Sequence, residues 1–204
     1  MDYLSLVKQK EEEESDLYKR MQADADMLYL EKFTLTDPSG NTVPDIVNVT
    51  LNKPAVFGAN VVSSLGSVKQ QVIVESDDLS IDTHQIERFQ ETAFLAANSR
   101  LMRRGLPLLN SFADVQFCFR GRTARRVLFR EQEGELIPDI MPWDGRYVRY
   151  EMGTDGLSWA AYTTERPKAE IEAEYPTASV KGKLGKVTDV WARTHNEVWI
   201  DEKQ

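Results

Sequence analysis

Between residues 112 and 162 the chain switches repeatedly between apolar and polar positions, and glycines cut the pattern at Gly121, Gly134, Gly145 and Gly156. The runs are Val115, Phe117 and Phe119; Val127 and Phe129; Tyr147 and Tyr150; Leu157 and Trp159. A strand points successive side chains to opposite faces, so near period-two patterning with turn residues every ~10 positions predicts antiparallel strands. No recognisable catalytic motif falls inside the stretch. It organises the predicted fold class, α+β, with helices packed on an antiparallel β-rich domain.

Helical spacing precedes it. Leu17, Met21, Ala25 and Leu28 recur at intervals of three or four, flanked by Tyr18 and Tyr29, and predict a helix within residues 8–33. Ser15 and Asp16 are candidate caps, which leaves the four glutamates at 11–14 as a frayed, solvated lead-in. Residues 37–41 are a turn by composition, and residues 45–52 are ambiguous between a strand and the start of a helix. Pro54 suits the first turn of a helix running to Leu65, with Val56, Phe57, Val61, Val62 and Leu65 inward and Gly66 at its end. Residues 68–75 read as a short strand.

The best-specified helix covers residues 82–104. Asp82 is its N-cap, Gln85 completes a capping-box-like pair, and Ile86, Phe89, Ala93, Phe94, Ala97 and Leu101 form the apolar face. Arg103 and Arg104 precede Gly105, at the end where the helix dipole favours cations. Past the central stretch, residues 169–175 alternate as a strand, residues 181–186 form a flexible basic loop, and residues 187–191 and 197–200 form a hairpin turned at His195 and Asn196. The expected segmentation is a helical arm over 1–35, a helix-rich segment with one or two short strands over 36–111, and an antiparallel β-rich region over 112–204.

A chain of 204 residues can bury roughly 70% of its unfolded surface and needs no covalent or metal staple. Its single cysteine, Cys118, lies between two phenylalanines in a predicted strand and reads as a buried, inert thiol in a reducing compartment. No apolar run approaches the ~18 residues of a membrane span, and the acidic start is unlike a secretory leader, so no membrane partner is expected.

The net charge of −8 is unevenly spread. Eight arginines and one acid, Asp114, lie between residues 100 and 130, so this segment carries +7 and the remainder −15. Arginine makes planar bidentate contacts with carboxylate and with phosphate, which suits both subunit interfaces and nucleic acid. Three readings stay open: a solvated strand face and helix end, a protein interface, and direct nucleic-acid contact. The candidate subunit-interface or DNA-facing residues are Arg103, Arg104, Arg120, Arg122, Arg125, Arg126 and Arg130.

Other chemistry finds little support. The loop around Gly182 and Gly185 lacks the spacing of a phosphate-cradling P-loop. His84 and His195 have no partner at zinc-ligand spacing. Asp24, Asp26, Asp77, Asp78, Asp139, Asp144 and Asp155 could pair in space, but several sit in predicted turns, where Asp is common for backbone reasons. Trp143, Trp159, Trp191 and Trp199 read as sheet-core anchors; Trp143, beside Arg146 and Arg149, comes nearest to a base-stacking platform.

The run Ile140, Met141, Pro142, Trp143, Asp144, Gly145, Arg146 and on to Tyr150, then Gly153, Gly156, Leu157 and Trp159, resembles the wing region of tailed-bacteriophage portal proteins. There a strand ends in a proline-and-Asp turn, an arginine follows, and a Gly-Leu-x-Trp strand returns. Glu165-Arg166 ahead of Ile171, Tyr175-Pro176, the run from Val187 to Trp191, and Asn196 to Val198 continue the pattern. The helix at 82–104 is similar to the one preceding the portal sheet, and residues 17–62 to the portal N-terminal region, so the likeness covers about residues 15–200.

The resemblance implies a twelve-subunit homo-oligomeric ring at one capsid vertex, in the virion and, during assembly, the host cytoplasm. Double-stranded DNA passes through the ring, and terminase and capsid or head-completion proteins dock on it. It implies no catalytic residue, metal or cofactor. Portal stem helices, clip and channel-lining loop are not legible after Ile200, so a truncated or wing-only chain is expected. The expected function is a structural subunit of the portal ring, forming the passage for genome packaging and ejection. The alternative is a nucleic-acid-binding module using the arginine band; a hydrolase with paired carboxylates comes third.

Overall fold

The computed structural model describes residues 2–68 and 71–203. In chain order the elements are α1 (Tyr3–Glu13), α2 (Ser15–Leu28), α3 (Lys53–Gly66), α4 (Thr83–Arg103), α5 (Leu109–Arg120), β1 (Ala124–Gln132), β2 (Glu135–Trp143), a short 3-10 turn (Gly145–Tyr147), β3 (Val148–Gly153), β4 (Gly156–Pro167), α6 (Lys168–Glu174), β5 (Leu184–Ala192) and β6 (Asn196–Ile200). The α+β class holds, with antiparallel sheets of two and four strands. The chain divides into two compact units, one of Met1–Lys19 with Trp143–Gln204 and one of Arg20–Pro142, a division that cuts across the three expected segments.

The first unit is built on the sheet β3-β4-β5-β6. Its register places Ala161 opposite Val190 and Thr163 opposite Thr188, whose hydroxyls lie 3.2 Å apart. Alternation then sorts the faces. Trp159, Ala161, Val190 and Trp199 meet Tyr3, Leu6 and Val7 of α1. On the other side Val187, Val198 and Ile200 meet Ile171 of α6 and Tyr175, Ala178 and Val180.

Two expectations are corrected here. The N-terminal lead-in is ordered helix: the Asp2 carboxylate accepts the Ser5 N–H at 3.2 Å and starts α1, which runs through Glu11 to Glu13. Residues 169–175 form a helix rather than a strand. Lys, Ala and Glu are strong helix formers, and Ile171 and Tyr175 fall one turn apart to meet the core together. The basic loop is also shorter than expected, because β5 begins at Leu184.

In the second unit α4 matches expectation. The Asp82 carboxylate accepts the N–H groups of His84 and Gln85, and the helix ends in a Schellman motif: Leu106 N–H donates to Leu101 O at 2.9 Å and Gly105 N–H to Met102 O at 3.0 Å. Gly105, at φ 68°, supplies the left-handed residue that this geometry needs. Ala97 and Leu101 pack on Leu109 and Ile140. Towards the N-terminal half, Ile86 and Phe89 stay partly exposed.

The first run of the central stretch is helical. Residues 109–120 form α5, so Val115, Phe117, Phe119 and the half-buried Cys118 lie on a helix. Phe112, Val115 and Phe119 are also spaced as a helix face, and seven residues cannot decide between periods of two and 3.6. Gly121, at φ 69°, stops the helix. Phe119 comes so close to α3 that a Cβ at Gly58 would lie 2.2 Å from its ring. The inward face of α3 is therefore Gly58, Val61 and Val62, while Val56, Phe57 and Leu65 are exposed, against expectation.

Residues 45–52 begin with a turn and then carry no strand; helix α3 starts only at Lys53. Of the strand expected at 68–75, Lys69 and Gln70 lie outside the described residues, and residues 71–75 form no strand. Glu133 and Gly134, both at positive φ, turn the β1–β2 hairpin.

Gly185 tests the packing of the first unit. A Cβ there would lie 2.7 Å from Ile171 Cδ1 and 3.0 Å from Val180 Cγ1. Gly185→Ala is expected to lose about 1–3 kcal/mol in urea unfolding. Ile171→Val, which removes that Cδ1, should recover part of the loss in the double variant, measured as a coupling energy.

Candidate functional site

The arginine band is divided between internal ties and open surface. Arg100 on α4 donates to Pro138 O on β2 at 2.7 Å. Arg120, in the last turn of α5, donates to Met21 O of α2. Arg126 and Arg130 both reach Asp139 Oδ2, at 2.9 and 3.0 Å. β1 and β2 bring the three together on one face of the hairpin by alternation. Arg122 is half-buried. Arg125 lies on the other face of β1, its guanidinium 5.5 Å from the Phe94 ring centre.

Arg103, Arg104, Arg125 and Arg130 are the exposed members. Arg103 bonds back to Ser99 O at 3.3 Å, satisfying a carbonyl in the last turn of α4. The candidates thus do not form one patch. Arg120 and Arg126 are largely architectural, and Asp139, weighed only as a catalytic carboxylate, is the counter-charge of Arg126 and Arg130.

A more deeply placed cation was missed. Arg149 on β3 is 7% exposed and stacks 3.7 Å over the Tyr18 ring centre. It donates to Arg146 O at 2.6 Å and to Glu11 at 3.3 Å. Tyr18 in turn donates to Glu14. The signal was present in the sequence as an arginine inside an apolar strand, but its partners lie some 130 residues away.

Trp143 is 6% exposed and stacked on Tyr162 at 4.8 Å, so it is a core anchor and offers no platform for a base. Burial raises the Tyr162 phenol above its ordinary pKa. Beside it lies an open cavity of about 550 Å³ lined by Glu11, Tyr147, Tyr162, Thr163, Glu165 and Lys186. Its charged lining residues are Glu11, Glu165 and Lys186, and Lys186 lies 3.9 Å from Glu11.

Among the described residues no three His, Cys, Asp or Glu side chains gather as a metal site. Asp37 and Asp78 hold turns: Asp37 accepts the N–H groups of Ser39 and Asn41, and Asp78 accepts from Ser80. Those hydrogen bonds lower both carboxyl pKa values. No described helix is long and apolar enough to cross a membrane.

Surface is the distinctive property. The chain exposes 14486 Å². A folded monomer of this mass exposes roughly 9,700 Å², and two separate bodies of about 80 and 120 residues roughly 11,700 Å² in total. Much of the surplus is apolar and belongs to the second unit, where Leu79 is 99% and Val47 86% exposed, joined by Val49, Leu51, Phe57, Ile73 and Leu95. Large exposed apolar area marks surfaces that meet a partner. No protein-family model matches the chain, and no curated protein matches it.

Asp139 gives the sharpest local test. Asp139→Ala removes the shared carboxylate from Arg126 and Arg130 and is expected to cost about 2 kcal/mol. Arg130→Ala, which removes the more exposed partner, should cost less than ~1 kcal/mol. Urea midpoints of the two variants check the order.

Proposed function

We propose that this chain is a structural subunit of a tailed-phage portal ring, corresponding to its wing region, in which copies of the chain associate around a passage for the packaged genome. The observation that carries the reading is the exposed area. Its surplus over a compact fold, roughly 2,800–4,800 Å², is the amount an obligate subunit interface covers. The wing-like sequence pattern supports the same reading: Pro142, Trp143 and Asp144 close β2, and Gly156 to Trp159 open β4. The charge split of +7 against −15 also suits it, because a ring joins unlike faces of neighbouring copies.

Nucleic-acid contact through the arginine band is the weaker reading. Five of its eight arginines, Arg100, Arg103, Arg120, Arg126 and Arg130, bond to backbone oxygens or to Asp139.

Reversing Arg103, Arg104 and Arg125 together to Glu is expected to reduce a ring mass to monomer in native mass spectrometry, with an unchanged circular dichroism spectrum. These positions are exposed, so the fold is spared. A ring mass unaffected by the reversal and constant across a salt series sinks the electrostatic assembly. Duplex DNA binding that falls steeply with salt, and is lost in the same variant, would favour the nucleic-acid reading.

A further inference from the structure

Residues 71–75, Gln-Val-Ile-Val-Glu, have the composition of a strand, yet lie in no helix and pair with no strand. One edge of this segment is tied down: Val74 N–H donates to Glu87 Oε1 of α4 at 2.9 Å. In an extended chain the N–H and C=O groups of alternate residues point the other way. On that side Gln71, Ile73 and Glu75 have no hydrogen-bond partner among the described residues. The Ile73 side chain is 68% exposed. The acids Glu75, Asp77 and Asp78 follow at once, all exposed.

The same unit contains the complementary partner. β1 is hydrogen-bonded to β2 alone in a two-stranded sheet, so its other edge has no strand beside it. A two-stranded sheet is marginal by itself and gains from a third strand. The sequence of β1 is basic and apolar, with Arg125, Val127 and Phe129 exposed in alternation.

We infer that residues 71–78 of one copy add as an antiparallel strand to the free edge of β1 in a neighbouring copy. Charge selects the direction. Antiparallel pairing sets Glu75 near Arg125 and Ile73 near Val127, and carries Asp77 and Asp78 past the start of β1, towards Arg122. Parallel pairing would move the acids to the far end, where Arg130 already meets Asp139. A second copy is the occupant because the acidic strand and the basic edge lie on the same chain and are of unlike kind. Each copy then gives a strand on one side and receives one on the other, the heterologous contact that closes rings. This rests on the self-assembly reading above and names the surface through which it acts.

Hydrogen exchange and native mass together test it. In the wild-type oligomer the amides of residues 71–75 and of β1 should exchange about tenfold or more slowly than in the dilute monomer. Ile73→Pro, which lacks the N–H on the free edge, should stay monomeric with an unchanged circular dichroism spectrum, while Ile73→Val assembles. Glu75→Arg or Arg125→Glu alone should weaken assembly at least tenfold in protein concentration, and the double reversal should restore it. An oligomer in which residues 71–75 exchange as fast as in the monomer, or one that Ile73→Pro leaves intact, overturns the strand addition and spares the assembly reading. A chain monomeric at every concentration overturns both.

Discussion

Arg149 carries a full positive charge at a position where water hardly reaches it, and the first unit is arranged around keeping it there. A guanidinium removed from water loses several kcal/mol of hydration unless other groups take up its protons and charge. Here the Tyr18 ring supplies a π face, the carbonyls of Arg146 and Val148 accept, and Glu11 supplies an anion. Two of those four groups belong to the N-terminal helices and two to the turn entering β3. Any arrangement that failed to bring α1 onto the sheet would leave the charge stranded. The same helix closes the apolar side of the sheet with Tyr3, Leu6 and Val7. Lys10, paired with Glu151 at 2.6 Å, fixes its lower end.

The arginine band follows a different rule. Its members are ordinary surface or half-buried cations, and the structure uses them according to what lies within reach. Those near a carbonyl or Asp139 became ties. Arg103 and Arg104 at the end of α4, and Arg125 beside Phe94, stayed exposed. A chain with four exposed arginines in its +7 segment, exposed apolar side chains and an unpaired run at residues 71–75 has surface left to satisfy. The proposed association between copies would satisfy all three kinds at once.

Local signals were legible wherever they were long or chemically specific. The cap at Asp82, the Schellman end at Gly105, the last hairpin and the apolar face of α2 could all be read from the sequence, because each depends on neighbours within a turn or two. Short runs misled. Seven residues around Cys118 fit both periods, and helix won because Phe119 finds Gly58 on α3. The alternation at 169–175 hid a helix whose residues are strong helix formers. The role of α1 was hidden because Glu11 and Glu14 look like a solvated run until their distant partners are known. Arg103 and Arg104 lie at the end of α4 as expected, whereas Arg120, which follows a run read as strand, ends the helix α5; which arginines remain open depends on Asp139, Met21 and Pro138, and that is set by tertiary structure.

The division of the chain has a consequence for its birth on the ribosome. The unit of Arg20–Pro142 is continuous, whereas its companion needs both the first 19 residues and everything from Trp143 onward. At roughly 5–20 residues per second, translation of the remaining ~60 residues takes several seconds after Pro142 appears. Until those residues are made, Tyr3, Leu6 and Val7 lack the sheet face on which they pack. β6, the last strand of this sheet in chain order, brings Trp199 against those residues.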